Sequence, residues 1–336
     1  MLKFGILSTA KIAHEHLIPA IQQSDNAKLE GIASRDEKKA MRMADRFNVP
    51  QAFGSYDEML ESPDIDALYI PLPTSQHVEW TLKAIKAGKH VLVEKPLALQ
   101  ARDINKLVNA RNKAGVVVSE AFMVTYHPQW AKVRELVKKN KIGALRHIQA
   151  SFTYYNVDAK NMRNRPELGG GVLPDIGVYP TVCARFATGQ EPSHVTASVE
   201  FDPKFKTDRF ATAQLEFDGF DMSFYVSTQL SNRQTMVLHG SKGFIELTAP
   251  FNSNLYEGDE VRLHNAGHSE TQVFRYTGLN QYRLEVEAFA RAVAGKKQSV
   301  FTLEDSILNQ KVIDATVYRL NYVALWVGSA PEPRTY

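Results

Sequence analysis

The feature that most constrains this chain is an alternation, running to about residue 121, of short β-branched runs with amphipathic stretches of helical length. The runs are Leu2–Leu7, Leu29–Ala33, Ala67–Ile70, Val91–Val93 and Val116–Ser119. Between them lie helix-length segments at Ile12–Gln23, Glu37–Phe47, Val78–Ala87 and Ala101–Ala114, with Gly88 and Gly115 where helices commonly end on a left-handed residue. Short apolar strands separated by crossover helices are what a parallel sheet buried on both faces requires. Residues 1–121 are therefore expected to form a doubly wound α/β domain.

The remainder, 122–336, reads differently. A helix near Ala131–Lys139 is followed by strand-like runs at Ile148–Tyr155, Val195–Phe201, Phe210–Phe217, Met222–Val226, Met236–His239 and Phe244–Leu247. Strands this closely spaced imply an α+β domain built on a large, mostly antiparallel open sheet, with helices around Arg283–Ala294 and Ile307–Tyr318 closing the chain. A length of 336 residues suits two such cores, and 44% hydrophobic with 23% charged residues is an ordinary globular composition. The run Phe210-Ala211-Thr212-Ala213-Gln214-Leu215 offers apolar groups to both faces of the sheet, so a homodimer or higher homo-oligomer is expected.

The net charge of +3 is spread among acids, without the basic stripe that nucleic acid demands. No run is long enough to span a membrane, the first residues enter a strand directly, and Cys183 has no partner for a disulfide. A cytoplasmic location is the expectation. With neither an HExxH pattern nor a cysteine cluster, no metal is expected.

The first strand runs into Ser8-Thr9-Ala10-Lys11-Ile12, the strand-to-helix position of a dinucleotide fingerprint, with Ser8, Ala10 and Ala13 at the three glycine places. Small side chains there let the backbone approach a pyrophosphate and turn helix amides toward it. This makes the first domain a candidate Rossmann domain. At the end of the second strand stand Ser34 and Arg35, where an acid would bind the ribose hydroxyl of NAD. A guanidinium suits the 2′-phosphate of NADP, so NADP is preferred with NAD possible; a one-residue shift would bring Asp36 to the ribose instead.

Later strand ends lead into Pro71-Leu72-Pro73-Thr74-Ser75-Gln76-His77 and Glu94-Lys95-Pro96. Loops at the carboxyl ends of a parallel sheet line its ligand crevice, so Pro71, Leu72, Thr74, His77, Glu94 and Lys95 are candidate nicotinamide-side contacts. His77 could equally cap the helix that follows. A second motif, Gly169-Gly170-Gly171-Val172-Leu173-Pro174-Asp175-Ile176-Gly177-Val178-Tyr179, turns into a helix on which Asp175 and Tyr179, four apart, would share a face. Tyr154, Arg163, Arg165 and His127 are weaker candidates for lining a substrate pocket.

Together, Glu94-Lys95-Pro96 and the glycine-rich Asp175/Tyr179 motif resemble the glucose-fructose oxidoreductase, inositol dehydrogenase and MocA-like family, over essentially the whole chain. Tyr179 in place of a histidine is similar to the branch of xylose and dimeric dihydrodiol dehydrogenases, as are Glu120-Ala121-Phe122-Met123, His127-Pro128-Gln129 and Asn164-Arg165-Pro166-Glu167-Leu168. The resemblance implies that Lys95 and Tyr179 form the catalytic pair, that Asp175 holds substrate, and that the Lys95–Pro96 bond is cis. It implies an NAD(P)-dependent dehydrogenase or reductase moving a hydride between NADP and a sugar, sugar derivative or cyclic diol. The alternative is an inactive NADP- or sugar-sensing regulator of the same fold.

Overall fold

A computed structural model describes residues 1–255, 258–296 and 299–318. Six strands, β1 (Leu2–Leu7), β2 (Ala27–Ala33), β3 (Gln51–Phe53), β4 (Ala67–Ile70), β5 (His90–Val93) and β6 (Val118–Glu120), form one sheet ordered β3-β2-β1-β4-β5-β6. Every pairing in it is parallel. The two-residue period of a strand divides its side chains between two cores: Phe4, Ile6, Tyr69 and Leu92 pack on one face with Leu17, Ile21 and Phe289, while Leu68, Ile70, Val91 and Val93 pack on the other with Ile104 and Leu107. All four residues of β4 are buried, which is why that strand reads as continuously apolar. The strand order reverses between β1 and β4, and the carboxyl-end loops beside that point are where a doubly wound sheet takes its ligand.

The second sheet has eight strands: β7 (Leu145–Tyr155), β8 (His194–Phe201), β9 (Asp208–Phe217), β10 (Phe220–Ser227), β11 (Gln229–Gly240), β12 (Gly243–Leu247), β13 (Asp259–Asn265) and β14 (Thr271–Tyr276). They are ordered β14-β13-β12-β11-β7-β10-β9-β8, and β7 with β10 is the parallel pair in an otherwise antiparallel sheet. Ala211, Ala213 and Leu215 on β9 and Met236 and Leu238 on β11 are buried in alternation, while on β7 Ser151 and Thr153 are buried along with Ile148, Ala150 and Phe152. The helices Pro128–Lys138 and Val178–Thr188 accompany this sheet. Trp130 in the first of them is fully buried, and its indole N–H donates to the Pro250 carbonyl at 2.9 Å, the partner such a ring needs once out of water.

The chain is not divided by one cut at residue 121. Among the described residues, compact units comprise Met1–Met123 with Gln281–Ile307, and Val124–Asn280 with 308–318. The helix Gln281–Val293 belongs to the first unit because Val286, Phe289 and Ala290 complete the core beside β1 and β2. Strands β3, β13 and β14 carry little sequence signal: β3 has three residues, and the last two are half-exposed with polar groups on both faces.

Candidate active site

The helix after β1 spans residues 11–22, with one π turn at Ala13–Leu17 in its middle. Ser8, in the turn before it, has φ 127°, a backbone region that favours glycine, so the serine keeps the glycine conformation of a dinucleotide turn without being one. Its Oγ accepts from the Ala10 amide at 3.2 Å, closing the turn on itself, and Thr9 and Ala10 are partly exposed beside it. Lys11 is 80% exposed and pairs with Glu15 at 3.7 Å, while Ile12 continues the helix.

At the end of β2, Ser34 is buried and its Oγ accepts from the Asp36 amide. Arg35 is exposed and hydrogen-bonds the Tyr56 hydroxyl. Asp36 is engaged elsewhere, as the cap of the helix Glu37–Phe47, where it accepts from Lys39 N at 3.3 Å. Asp36 is thus held as a helix cap, while the exposed Arg35 bonds a neutral hydroxyl.

After β4, Pro71 and Leu72 are buried and Thr74 opens the helix Thr74–Lys86. His77, one turn into that helix, is 1% exposed. Its Nδ1 lies 2.8 Å from the Pro96 carbonyl and its Nε2 2.6 Å from the Leu72 carbonyl, so the ring spans two strand-end loops and does not cap the helix. Burial pushes its pKa down to about 4, so at neutral pH the ring carries one N–H and donates to one of the two. Both ring nitrogens thus face backbone carbonyls of the strand-end loops.

Glu94 and Lys95 follow β5, and the Lys95–Pro96 bond is cis. Tyr69 donates to Glu94 Oε1 at 2.5 Å, and the Lys95 amide approaches Glu94 Oε2 at 3.3 Å. Behind this turn, Glu285 is a buried carboxyl with its Oε1 unpartnered; burial and then Glu94 raise its pKa well above the usual carboxylate range. No motif signals Tyr69 or Glu285, since the first lies in an ordinary apolar strand and the second in an ordinary amphipathic helix.

In the second unit, Leu173–Gly177 is one π turn leading into Val178–Thr188, so Asp175 sits on a local irregularity of a kind frequent at functional sites. The extra residue of that turn breaks the 3.6 spacing assumed from sequence. Asp175 and Tyr179 nevertheless both act on Arg163, whose guanidinium they hold in its charged form, Asp175 most strongly. Arg163 Nε donates to Asp175 Oδ2 at 2.7 Å, and the Tyr154 hydroxyl donates to the same oxygen at 2.5 Å. Burial and the adjacent Asp175 charge raise the Tyr154 pKa, so it stays a neutral donor. Tyr179 is 5% exposed, among the rings of Phe152 at 5.6 Å and Phe251 at 5.9 Å.

Two further candidates have partners of their own. Arg165 makes an exposed pair with Glu167 at 2.7 Å, because the short 3-10 turn Pro166–Leu168 folds that acid back upon it. His127, fully buried, caps Pro128–Lys138 through Gln129 N, faces Asp259 at 3.4 Å and lies against Tyr276.

Asp208, on β9, is a site residue that sequence reasoning does not find. Its Oδ2 accepts from Leu173 N at 2.7 Å, and it also hydrogen-bonds the Val172 amide, so it caps the helix carrying Asp175 and Tyr179. A Cβ on Gly171, at φ 137°, would collide with Asp208 Oδ1, and one on Gly170 would stand 2.5 Å from the Arg163 carbonyl. The glycines let a carboxylate and a loop close on this helix start.

A parallel sheet of this order, with polar loops gathered at its carboxyl ends, places the protein in the nucleotide-binding α/β class. The chain belongs to the GFO/IDH/MocA oxidoreductase family: the model for its NAD-binding Rossmann fold matches residues 2–122, and that for its C-terminal domain matches residues 130–246. It is 39% identical to an uncharacterized oxidoreductase of Rhizobium meliloti, over 94% of this chain and 96% of that one. It is 34% identical to D-xylose 1-dehydrogenase (NADP(+)) 2 of Haloferax volcanii, over 98% and 99%. Among solved structures, the 3-ketoreductase KijD10 of Actinomadura kijaniata, in complex with NADP and TDP-benzene, superposes with a TM-score of 0.86 at 28% identity, covering 94% of this chain and 96% of that one. Among the described residues, no group of three or more His, Cys, Asp or Glu could hold a metal, and no helix is long and apolar enough to cross a membrane.

Proposed function

We propose that this oxidoreductase transfers a hydride between NADP and a neutral, hydroxyl-rich ring: a sugar, a sugar derivative or a cyclic diol. The observation that carries the substrate class is the Tyr154–Asp175–Arg163 cluster, whose aspartate lies on the segment bearing Tyr179. Carboxylate and guanidinium cancel in charge, while their remaining donors and acceptors suit hydroxyl groups and favour no net charge on the ligand. NADP is preferred because Arg35 is the charged group at the end of β2 and Asp36 is engaged as a helix cap. The residues present fit the cofactor: Ser8 holds the glycine-type turn, and a helix starts directly after it.

When bound, the nicotinamide supplies or accepts the hydride. Lys95 hydrogen-bonds the reacting oxygen and stabilises the negative charge that grows on it. Tyr179 takes the proton from the carbinol oxygen in oxidation and returns it in reduction. Asp175, held by Arg163 and Tyr154, accepts from a ring hydroxyl and so fixes which carbon is presented.

The test is nicotinamide absorbance with NADP and NADPH against aldoses, inositols, cyclic diols and nucleotide-linked keto sugars, with Lys95→Ala and Tyr179→Phe alongside. Turnover lost in both variants while NADPH still binds supports the reading. NADPH binding without turnover across the panel supports a sensor instead.

The outer face of the second sheet presents Thr212, Gln214, Ser223, Tyr225 and a half-buried Phe210 stacked on Tyr225, and a second copy of the chain is proposed to cover it. Sedimentation at the mass of a single 336-residue chain would exclude this.

A further inference from the structure

Glu120 belongs to a motif that the catalytic assignment leaves unused. It ends β6 paired with Val93 of β5, and its side chain is 3% exposed. One oxygen, Oε1, accepts from the Leu97 amide at 2.8 Å, two residues beyond Lys95. On the other side of the same turn, the His77 ring meets the Pro96 carbonyl at 2.8 Å. The Pro96–Leu97 peptide group that follows Lys95 is thus gripped at its carbonyl and at its amide by two buried side chains from different elements.

We propose that Glu120 is a positioning residue for the reaction: its buried carboxylate secures the Lys95–Pro96–Leu97 turn and, by its charge, holds the Lys95 ammonium in its working orientation. This rests on the role proposed above for Lys95. Burial pushes the Glu120 pKa up to about 7, so the carboxyl changes charge within the range where the enzyme would work. Four groups act on it besides the bulk protein: the Ser306 hydroxyl, the Leu97 amide and Lys95 favour the ionised form, and Glu94 opposes it. In the segment that supplies Ser306, Asp305 is engaged with the Thr302 hydroxyl at 2.7 Å, and Glu304 with Arg111 at 2.6 Å.

Ser306 makes both charge states tolerable. Its Oγ lies 3.1 Å from the Thr302 carbonyl and also hydrogen-bonds Glu120. When Glu120 is ionised, the hydroxyl donates to it; when Glu120 is protonated, it can donate to Ser306 while Ser306 donates to Thr302. The local fold therefore survives protonation, and what changes is the field at Lys95.

The experiment is the pH profile of kcat for wild type, Lys95→Ala, Glu120→Gln and Ser306→Ala on the best substrate of the panel, with NADPH affinity and melting temperature measured for each. Glutamine keeps an oxygen for Leu97 N–H but not the charge. The expected wild-type profile falls on the acid side with a midpoint near 7. Glu120→Gln loses that step and is about tenfold slower at pH 8, with NADPH affinity unchanged, since misplacement of a catalytic group acts mainly on the chemical step. Ser306→Ala removes a bond to the ionised form and moves the midpoint upward while kcat at high pH is retained. A wild-type profile in both Glu120→Gln and Ser306→Ala overturns the inference while leaving Lys95 intact. Full turnover in Lys95→Ala overturns the catalytic reading itself, and this inference with it. If Glu120→Gln fails to fold, an unmoved midpoint in Ser306→Ala is enough to reject the proposal.

Discussion

Arg163 Nε donates to Asp175 Oδ2 at 2.7 Å, and the pair is lopsided: the arginine side chain is 41% exposed and the aspartate 10%. The partner in greater need is the carboxylate, which has little water to replace a lost guanidinium. Arg163→Met is expected to raise KM for the sugar by about 10- to 100-fold, the scale of a charged hydrogen bond, and to lower stability by about 1–3 kcal/mol, because the scarcely exposed Asp175 carboxylate loses its guanidinium. Steady-state kinetics beside a thermal melt check both halves; a KM within twofold of wild type would remove Asp175 from substrate binding.

Gly171→Ala should be among the most damaging small substitutions in the chain. The added methyl carbon collides with a carboxylate oxygen of Asp208, at φ 137°. Displacing Asp208 uncaps the Tyr179 helix, so a loss of about 3 kcal/mol or more in denaturant unfolding is expected, with turnover reduced in the protein that remains folded.

Asp208 also ties stability to pH. Burial raises its pKa from an ordinary 3.8 to about 6, so folding binds its proton more tightly than the unfolded chain does. The stability this contributes is present below pH 4 and is lost as pH rises through about 6, by roughly 3 kcal/mol for a shift of about two units. Asp208→Asn should flatten this part of the urea-unfolding profile between pH 4 and 7. An unchanged slope would show that the carboxyl titrates elsewhere.

Arg35→Ala is expected to weaken NADPH binding about tenfold or more while leaving NADH affinity within twofold, because only the 2′-phosphate separates the two. Fluorescence titration with both nucleotides decides the point; equal loss for both would place Arg35 away from the phosphate.

Ser8→Gly relaxes a φ of 127° that a serine holds only under constraint. A gain of about 1 kcal/mol in stability, read by chemical denaturation, is expected if the turn is strained as its backbone implies. No gain would show that the Ser8–Ala10 hydrogen bond offsets the strain.

The first sheet was legible because burial on both faces makes β4 continuously apolar and β1 and β5 largely so, whereas β13 and β14 carry mixed faces that resemble loop. The Glu94-Lys95-Pro96 and Asp175/Tyr179 segments could be picked out because their residue types are contiguous along the chain. Asp208 could not, for it acts on a backbone amide 35 residues away, and Glu120, though part of a motif, gives no sign in the sequence of its hold on an amide 23 residues away. Arg163 and Arg165 look alike in sequence, and only the fold of their loop sends one to Asp175 and turns the other to Glu167. Hydrophobic period and local turn chemistry are properties of neighbouring residues, so the sequence by itself determined the two-sheet architecture and the loops that carry the reactive side chains. Which groups those loops are held by, and with what charge, depends on long-range approach and desolvation, and only the tertiary structure decided it.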